Sequence, residues 1–197
     1  MIFDWGGILI ENPSEAILTF CSRALNVVPS ILLPVLQEQE PQFQTNAITE
    51  DQFWERVCAT LNVPKPFHRS LWDEALRHAY RPRHDVFGLV GRLRGAGYLT
   101  ALLSNTEMPA VEIYREKHNG TFDVVVLSCL EGIRKPDRQI YHRTVERLRI
   151  MPEEALLLDD RIENIEGAKQ AGLNAFLCAS SKEIMDAVHT FHLITSP

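Results

Sequence analysis

The chain has 197 residues, of which 45% are hydrophobic and 23% are charged, and its formal net charge is −6. This composition excludes a disordered chain and fits one globular core domain with an insertion. The acidic balance excludes a general nucleic-acid binder, because such proteins need a basic surface to displace counterions from the phosphates.

The four cysteines are widely spaced and form no CxxC pair, so neither a zinc site nor a disulfide framework is predicted. No apolar run approaches the roughly 18 residues of a membrane helix, and no secretory segment precedes the first predicted strand. We therefore expect a cytoplasmic protein whose partners include neither nucleic acid nor a membrane.

In chain order, the first predicted element is a short apolar strand that contains Ile2 and Phe3. Asp4 follows this strand directly, and Gly6 and Gly7 allow the chain to turn. The carboxyl ends of the strands in an open α/β sheet border the crevice where ligands bind. Asp4 is therefore a candidate for chemistry.

Helical patterns without strands fill residues 14–81. Ser14 is a candidate cap for a first helix, Pro29 can begin a second, and Thr49 precedes a third with apolar residues at helical spacing. We predict an all-α insertion here, which separates the first strand from the rest of the core.

From residue 83 onward, helices and strands alternate. Predicted helices span residues 85–96, 109–118, 139–148, 164–171 and 182–188, and predicted strands span residues 99–103, 124–128, 155–158 and 175–178. Strands rich in Leu and Val between amphipathic helices predict a parallel sheet with helices on both faces. The expected fold class is α/β, with a Rossmann-like catalytic core of residues 1–13 and 82–197 and a helical cap domain of residues 14–81.

Three further short segments with polar side chains follow predicted strands. They are Ser104-Asn105, Lys135-Pro136 and Asp159-Asp160. Because the carboxyl ends of parallel strands meet at one edge of the sheet, these pairs and Asp4 are expected to converge on one rim.

In this order and spacing, the four polar groups resemble the haloacid dehalogenase (HAD) superfamily, which consists mostly of magnesium-dependent phosphatases. The resemblance covers nearly the whole chain. The helical insertion is similar to the small cap of subfamily I, and Asp4-Trp5-Gly6-Gly7 resembles the Asp-x-Gly-Gly first motif of a phosphatase branch. The resemblance implies a hydrolase that cleaves a small phosphate monoester, in particular a sugar phosphate, with Mg2+ as cofactor.

The resemblance also implies that Asp4 is the nucleophile, which forms an aspartyl-phosphate intermediate, and a magnesium ligand. A carboxylate suits attack on phosphorus because it splits one difficult displacement into two easier ones. Adjacent carboxylates at Asp159 and Asp160 would repel each other without a cation, and Mg2+ prefers such oxygen ligands. The resemblance gives Asp160 as a direct ligand and Asp159 as a direct or water-mediated one.

The remaining predicted site residues surround the phosphate. Lys135 is expected to be catalytic, because its ammonium group offsets negative charge between the nucleophile and the phosphoryl group. Ser104 and Asn105 offer a hydroxyl, an amide and backbone donors for phosphate oxygens. Gly6 offers its backbone carbonyl to the magnesium ion, and Asn164 either supports the metal site or caps its helix.

The first motif departs from the family pattern at Gly6, where most phosphatases of the superfamily have a second aspartate as general acid and base. General acid–base catalysis contributes about 10²–10⁴ in rate, so the loss of this group need not abolish hydrolysis. The candidate replacements are Glu11, a residue of the cap, or the substrate and water.

Two alternative functions stay open. Dehalogenases of the superfamily also lack the second aspartate, but they need no magnesium and typically lack a full pair of acids in the fourth motif. A phosphate-binding or scaffold protein without turnover is the second alternative. The pair Asp159-Asp160, together with Asp4 and Lys135, favours a phosphatase that acts on a small phosphorylated metabolite. We expect a monomer or a homodimer.

Overall fold

A five-stranded parallel sheet forms the centre of the protein in the computed structural model, which describes residues 1–195. The strand order is β3-β2-β1-β4-β5, and all neighbouring pairs are parallel. The strands are β1 (Ile2–Phe3), β2 (Ala101–Ser104), β3 (Val124–Leu127), β4 (Leu156–Asp159) and β5 (Asn174–Leu177). The central strand β1 therefore places Asp4 between the ends of β2 and β4.

Apolar clusters cover both faces of the sheet. Phe3, Leu102 and Leu158 belong to one cluster, whereas their chain neighbours Ile2 and Leu157 belong to the other. This arrangement follows from the strand period of two, in which successive side chains point to opposite faces. The prediction of an α/β fold with helices on both faces of a parallel sheet is confirmed.

Four helices lie between β1 and the rest of the core. They are α1 (Ser14–Leu25), α2 (Pro29–Gln44), α3 (Glu50–Leu61) and α4 (Leu71–Ala79). Thr49 caps α3 through a reciprocal capping box with Gln52, as expected from its position. Ser14 does not cap α1; it lies inside the first turn, where its backbone N–H donates to the Asn12 side chain.

Within residues 1–195, six further helices follow in the core. They are α5 (His84–Gly95), α6 (Met108–His118), α7 (Ser128–Glu131), α8 (Arg138–Leu148), α9 (Ile162–Gln170) and α10 (Ser181–Thr195). The short helix α7 is absent from the sequence predictions, because four residues are too few to establish a helical period. The other helices begin within two residues of their predicted starts.

The two segments that connect the helical insertion α1–α4 to the core run side by side. Ile10 pairs with Pro82 in an antiparallel bridge. The N–H of Glu11 donates to the carbonyl of Arg81 at 2.9 Å, and the N–H of Arg83 donates to that of Leu9 at 2.9 Å. The insertion therefore leaves and re-enters the core through one narrow connection.

Within residues 1–195, no single helix has the length and apolar character needed to cross a membrane. Helices α1 and α2 meet those criteria only when taken together, and they are bent by 109° relative to each other.

Candidate functional site

Lys135 lies at the centre of the polar groups that follow the strands. Its Nζ atom is 2.8 Å from Asp4 Oδ1 and 2.5 Å from Asp159 Oδ2, and it donates to the carbonyl of Leu103 at 3.0 Å. The side chain is only 1% exposed. The ends of β1, β2 and β4 are thus joined by one buried ammonium group.

The electrostatics of this cluster follow from burial and from its three charges. Burial works to lower the pKa of Lys135, but the carboxylates of Asp159 and Asp4 outweigh it, so the pKa is raised and the ammonium stays charged. Burial raises the pKa of Asp4; Lys135 opposes this shift, while Asp159 and Asp160 add to it. Asp159 and Asp160 therefore disfavour the ionised form of Asp4, although Lys135 lies beside it.

Asp4, Asp159 and Asp160 form a group that fits a divalent cation. Each offers a carboxylate oxygen, and these oxygens all lie within 4.8 Å of one another. Hard ions such as Mg2+ bind oxygen ligands of this kind, and a cation here would relieve the repulsion that raises the pKa of Asp4. The residues present therefore fit the metal that the sequence predicts.

The three carboxylates differ in how they are held. Both oxygens of Asp159 accept hydrogen bonds from the Asn164 amide, at 2.9 and 3.1 Å, and Oδ1 also accepts one from the N–H of Arg161. Asp160 is only partly buried and accepts a hydrogen bond from Asn12 at 2.9 Å. Asn164 therefore supports the site by orienting Asp159, whereas Asp160 keeps more of its oxygen surface toward the cavity.

Gly7 is required for the close approach of Asp160. Its φ is +80°, and a Cβ atom at this position would lie 2.1 Å from Asp160 Oδ2. The glycine pair after Asp4 therefore both turns the chain and makes room for a predicted metal ligand.

Asn105 lies beside Lys135, and Ser104 ends β2 just before it, but the two residues contribute differently. The Asn105 amide donates to the carbonyl of Lys135 at 2.8 Å and accepts from its N–H at 2.7 Å. The side chain predicted to bind phosphate is thus committed to holding the Lys135 loop. Ser104 is 4% exposed at the end of β2, and its hydroxyl makes a long contact of 3.4 Å with the carbonyl of Asn105.

A cavity of about 140 Å³ lies between these residues and the helical insertion. Its core side includes Asp4, Gly6, Asn105, Lys135 and Asp160, and the insertion contributes Glu40 and Gln44 from α2 and Trp72 and Leu76 from α4. A larger open groove of about 740 Å³ along α1 shares Asn12 with the cavity but includes none of the strand-end carboxylates. The predicted chemistry therefore belongs to the smaller cavity.

Glu107 forms the junction between the core and the insertion. It precedes α6, is 6% exposed, and accepts hydrogen bonds from the Gln44 amide at 3.1 Å and from the Trp72 indole at 2.9 Å. Trp72 is itself fixed by edge-on contacts with the rings of Phe43 and Phe53. A carboxyl group of the core is thus held against two helices of the insertion.

Sequence reasoning missed Glu107, Gln44 and Trp72. Glu107 lies only two residues beyond Asn105, so the pattern of polar residues after a strand could have included it. No sequence pattern distinguishes Gln44 or Trp72, because they reach the cavity only through the packing of α2 and α4. Glu11, one candidate for the missing acid, is exposed and does not line the cavity.

Residues 2–172 match the family of haloacid dehalogenase-like hydrolases. The chain belongs to this family, and it is a hydrolase. It is 30% identical over 187 residues to acyl-CoA dehydrogenase family member 10 of Mus musculus, a match that covers 88% of this chain but only 17% of that protein. It is 26% identical over 175 residues to the sesquiterpene phosphatase AstK of Aspergillus oryzae, covering 87% of this chain and 85% of AstK.

Solved structures agree with the fold. A HAD family enzyme from Bacteroides thetaiotaomicron, crystallised with magnesium and inorganic phosphate, superimposes with a TM-score of 0.73 at 21% identity. That match covers 89% of this chain and 91% of the other. Dehalogenases are also among the matched structures. At this level of identity the structures establish the fold alone.

Proposed function

We propose that the protein is a magnesium-dependent phosphatase that hydrolyses a small phosphate monoester through an aspartyl-phosphate intermediate on Asp4. The observation that carries this proposal is the position of Lys135 Nζ between Asp4 and Asp159, with Asp160 completing a carboxylate group of suitable size for a cation. A phosphatase needs a nucleophile, a cation and a charge-neutralising donor at one point, and these residues supply them.

In this mechanism the Asp4 carboxylate attacks phosphorus, and the bond from phosphorus to the leaving-group oxygen breaks. Water then attacks the same phosphorus, and the bond from phosphorus to the Asp4 oxygen breaks, which releases phosphate and restores the carboxylate. Lys135 holds Asp4 in position and offsets the charge that gathers around the phosphoryl group. Ser104 is the proposed hydrogen-bond donor to a phosphate oxygen, and Asn105 acts by fixing the Lys135 loop.

The proposed magnesium ligands are Asp4, Asp160 and the backbone carbonyl of Gly6. When bound, the ion would act as a Lewis acid toward the phosphate oxygens and favour the ionised form of Asp4. Asp159 is proposed as a water-mediated ligand, because both of its oxygens already accept hydrogen bonds from Asn164, and one of them also pairs with Lys135. The Bacteroides enzyme was crystallised with magnesium, which supports the choice of this metal.

We further propose that residues 1–13 and 82–197 form the catalytic core and that residues 14–81 form a cap that closes over the substrate. The narrow connection at Ile10 and Pro82 supports this division. The cavity of about 140 Å³ is below the roughly 300–1,000 Å³ of sites for drug-sized ligands, which favours a small leaving group. The polar side chains of Glu40 and Gln44 favour a hydroxylated one, such as a sugar.

The dehalogenase alternative is less well supported by the site. A metal-independent reaction gives no reason to bring three carboxylate oxygens within 4.8 Å of one another, where the single ammonium group of Lys135 contacts only Asp4 and Asp159. A scaffold without turnover is also disfavoured, because the buried cluster of Lys135, Asp4 and Asp159 is costly to keep where no chemistry uses it.

The test is phosphate release from a panel of sugar phosphates and from p-nitrophenyl phosphate, with magnesium or with a chelator. We expect magnesium-dependent release by the wild type and its loss in Asp4→Asn. Asp186→Asn, which changes an exposed aspartate of α10, is the matched control and should keep full activity. Turnover by Asp4→Asn would contradict the nucleophile, and release that the chelator does not affect would contradict the metal.

A further inference from the structure

We propose that Glu107 is the general acid and base of the reaction, the residue that protonates the leaving-group oxygen and then takes a proton from water. This inference rests on the proposed phosphatase function. It deepens that function by assigning a catalytic role that Gly6, which has no side chain, cannot supply.

The titratable groups around the cavity leave few candidates for this role. Within the part of the chain that the structure describes, the ionisable side chains that line it are Asp4, Glu40, Glu107, Lys135, Asp160 and Arg161. Asp4 and Asp160 are committed to the nucleophile and the metal, and Lys135 is held charged by two carboxylates. Arginine does not give up its proton in proteins. Glu107 and Glu40 therefore remain, and Glu107 is the more buried of the two.

The direction of attack also limits where the acid can lie. Attack in line by Asp4 places the leaving-group oxygen on the far side of phosphorus, and water later attacks from that same side. The start of α6 and helices α2 and α4 form one wall of this cavity, where Glu107 lies with Gln44 and Trp72, and the proposal takes this wall as the far side. One carboxyl group in this wall can therefore serve both half-reactions.

The surroundings of Glu107 suit this exchange of protons. Burial raises its pKa to about 7, and the nearby carboxylate of Glu40 adds to the effect, while hydrogen bonds from Gln44 and Trp72 oppose it. A general acid–base group works best with a pKa near the operating pH. The other titratable groups that face it are Cys129 of α7 and, across the cavity, Lys135 with its carboxylates and Arg161.

An unpaired atom beside Glu107 independently indicates a ligand in this wall. Gln44 is 5% exposed, and its amide nitrogen donates to both Glu40 Oε1 and Glu107 Oε1. Its Oε1 atom is buried and accepts no hydrogen bond from the described residues. Buried acceptors are rarely left unpaired, because the lost hydrogen bond is costly. A hydroxyl group of the substrate, or the attacking water, would satisfy this oxygen next to Glu107.

The proton balance closes over the two half-reactions. In the first, the phosphorus–oxygen bond of the ester breaks as Asp4 attacks, and the Glu107 carboxyl proton passes to the departing alkoxide, which leaves as an alcohol. In the second, the Glu107 carboxylate takes a proton from water as the water oxygen bonds to phosphorus and the Asp4–phosphorus bond breaks. Glu107 is thus protonated again for the next turnover.

The test compares two esters in Glu107→Gln. A sugar phosphate from the panel leaves as an alkoxide and needs a proton, whereas p-nitrophenolate is stable as an anion and does not. We expect kcat/KM to fall about 10²–10⁴-fold for the sugar phosphate and no more than about tenfold for p-nitrophenyl phosphate. With the aryl ester, a burst of about one equivalent of p-nitrophenol should precede a slow phase, because hydrolysis of the aspartyl phosphate still needs the base.

Two further variants separate catalysis from structure. Trp72→Phe keeps an aromatic ring but removes a hydrogen bond that lowers the pKa of Glu107, so the basic limb of the kcat/KM profile should move to higher pH. Glu112→Gln changes an exposed carboxyl of α6 and should leave kcat/KM unchanged for both esters.

Equal losses for both esters in Glu107→Gln, with an unchanged pH profile, would mean that Glu107 only holds the insertion in place and would overturn the proposal. If the wild type releases no phosphate from any ester, the proposed function fails first and this inference falls with it. The two failures are therefore distinguishable by the wild-type measurement alone.

Discussion

The core side and the insertion side of the cavity differ in how completely their polar groups are paired. On the core side, Lys135 forms ion pairs with both Asp4 and Asp159, and further donors fix the Asp159 carboxylate. On the insertion side, the amide nitrogen of Gln44 donates to both Glu40 and the core residue Glu107, which also accepts from Trp72. The Gln44 side-chain oxygen is unpaired within residues 1–195. A fixed, paired side suits the phosphoryl group, which is the same in every substrate, whereas the other side keeps hydrogen-bonding capacity for the leaving group.

Substitution of Lys135 should disrupt the core side of the cavity most severely. Replacing it by Met leaves the buried carboxylates of Asp4 and Asp159 without their cation, and breaking a buried pair in this way costs about 3–5 kcal/mol. We expect a loss of this size in the free energy of unfolding, measured by urea denaturation, together with loss of activity.

The matched control for this prediction is Lys182→Met. Lys182 pairs with Asp186 on the surface of α10, with 85% of its side chain exposed, so its removal should not measurably change the unfolding free energy. Equal stabilities for the two variants would mean that the core side does not depend on its central cation.

Gly7→Ala tests whether the metal carboxylates need their present spacing. The new Cβ atom would displace Asp160, and the φ of +80° adds strain of about 1–2 kcal/mol. Gly120→Ala has a φ of +79° with no atom within 4 Å of the new Cβ, so it carries the strain without the displacement. We expect magnesium affinity, measured by calorimetry, to fall at least about tenfold in Gly7→Ala alone. Equal magnesium affinities in both variants would mean that Asp160 is not a ligand of the metal.

The two sides of the cavity also differ in how well the sequence predicts them. Asp4, Ser104 and Asp159 lie at the ends of parallel strands, and this topology brings strand ends together whatever the details of packing. The predicted core helices, the parallel sheet and the meeting of Asp4, Lys135 and Asp159 could therefore be predicted. The commitment of the Asn105 amide to the backbone of Lys135 could not, because many hydrogen-bond partners are possible for one amide.

The insertion side is harder to predict for a physical reason. Gln44 and Trp72 lie on separate helices, and their contact with Glu107 depends on how α2 and α4 pack around an aromatic cluster. Helical periodicity predicts which face of a helix is buried but not which residue of another element it meets. The missing acid at Gly6 was visible in the sequence, whereas its proposed replacement required the tertiary arrangement.

The smallest expected effect is a pH dependence of stability that belongs to Glu107. Folding raises its pKa from 4.5 to about 7, so the folded state binds the proton more tightly than the unfolded state. The stability of the wild type therefore falls as pH rises above 4.5, relative to a variant without this group. From pH 5 to pH 6, the unfolding free energy of the wild type should fall by about 1 kcal/mol relative to that of Glu107→Gln. Glu112→Gln should show no such trend, and a parallel pH profile for Glu107→Gln would mean that this carboxyl is ionised in the folded protein and cannot donate a proton.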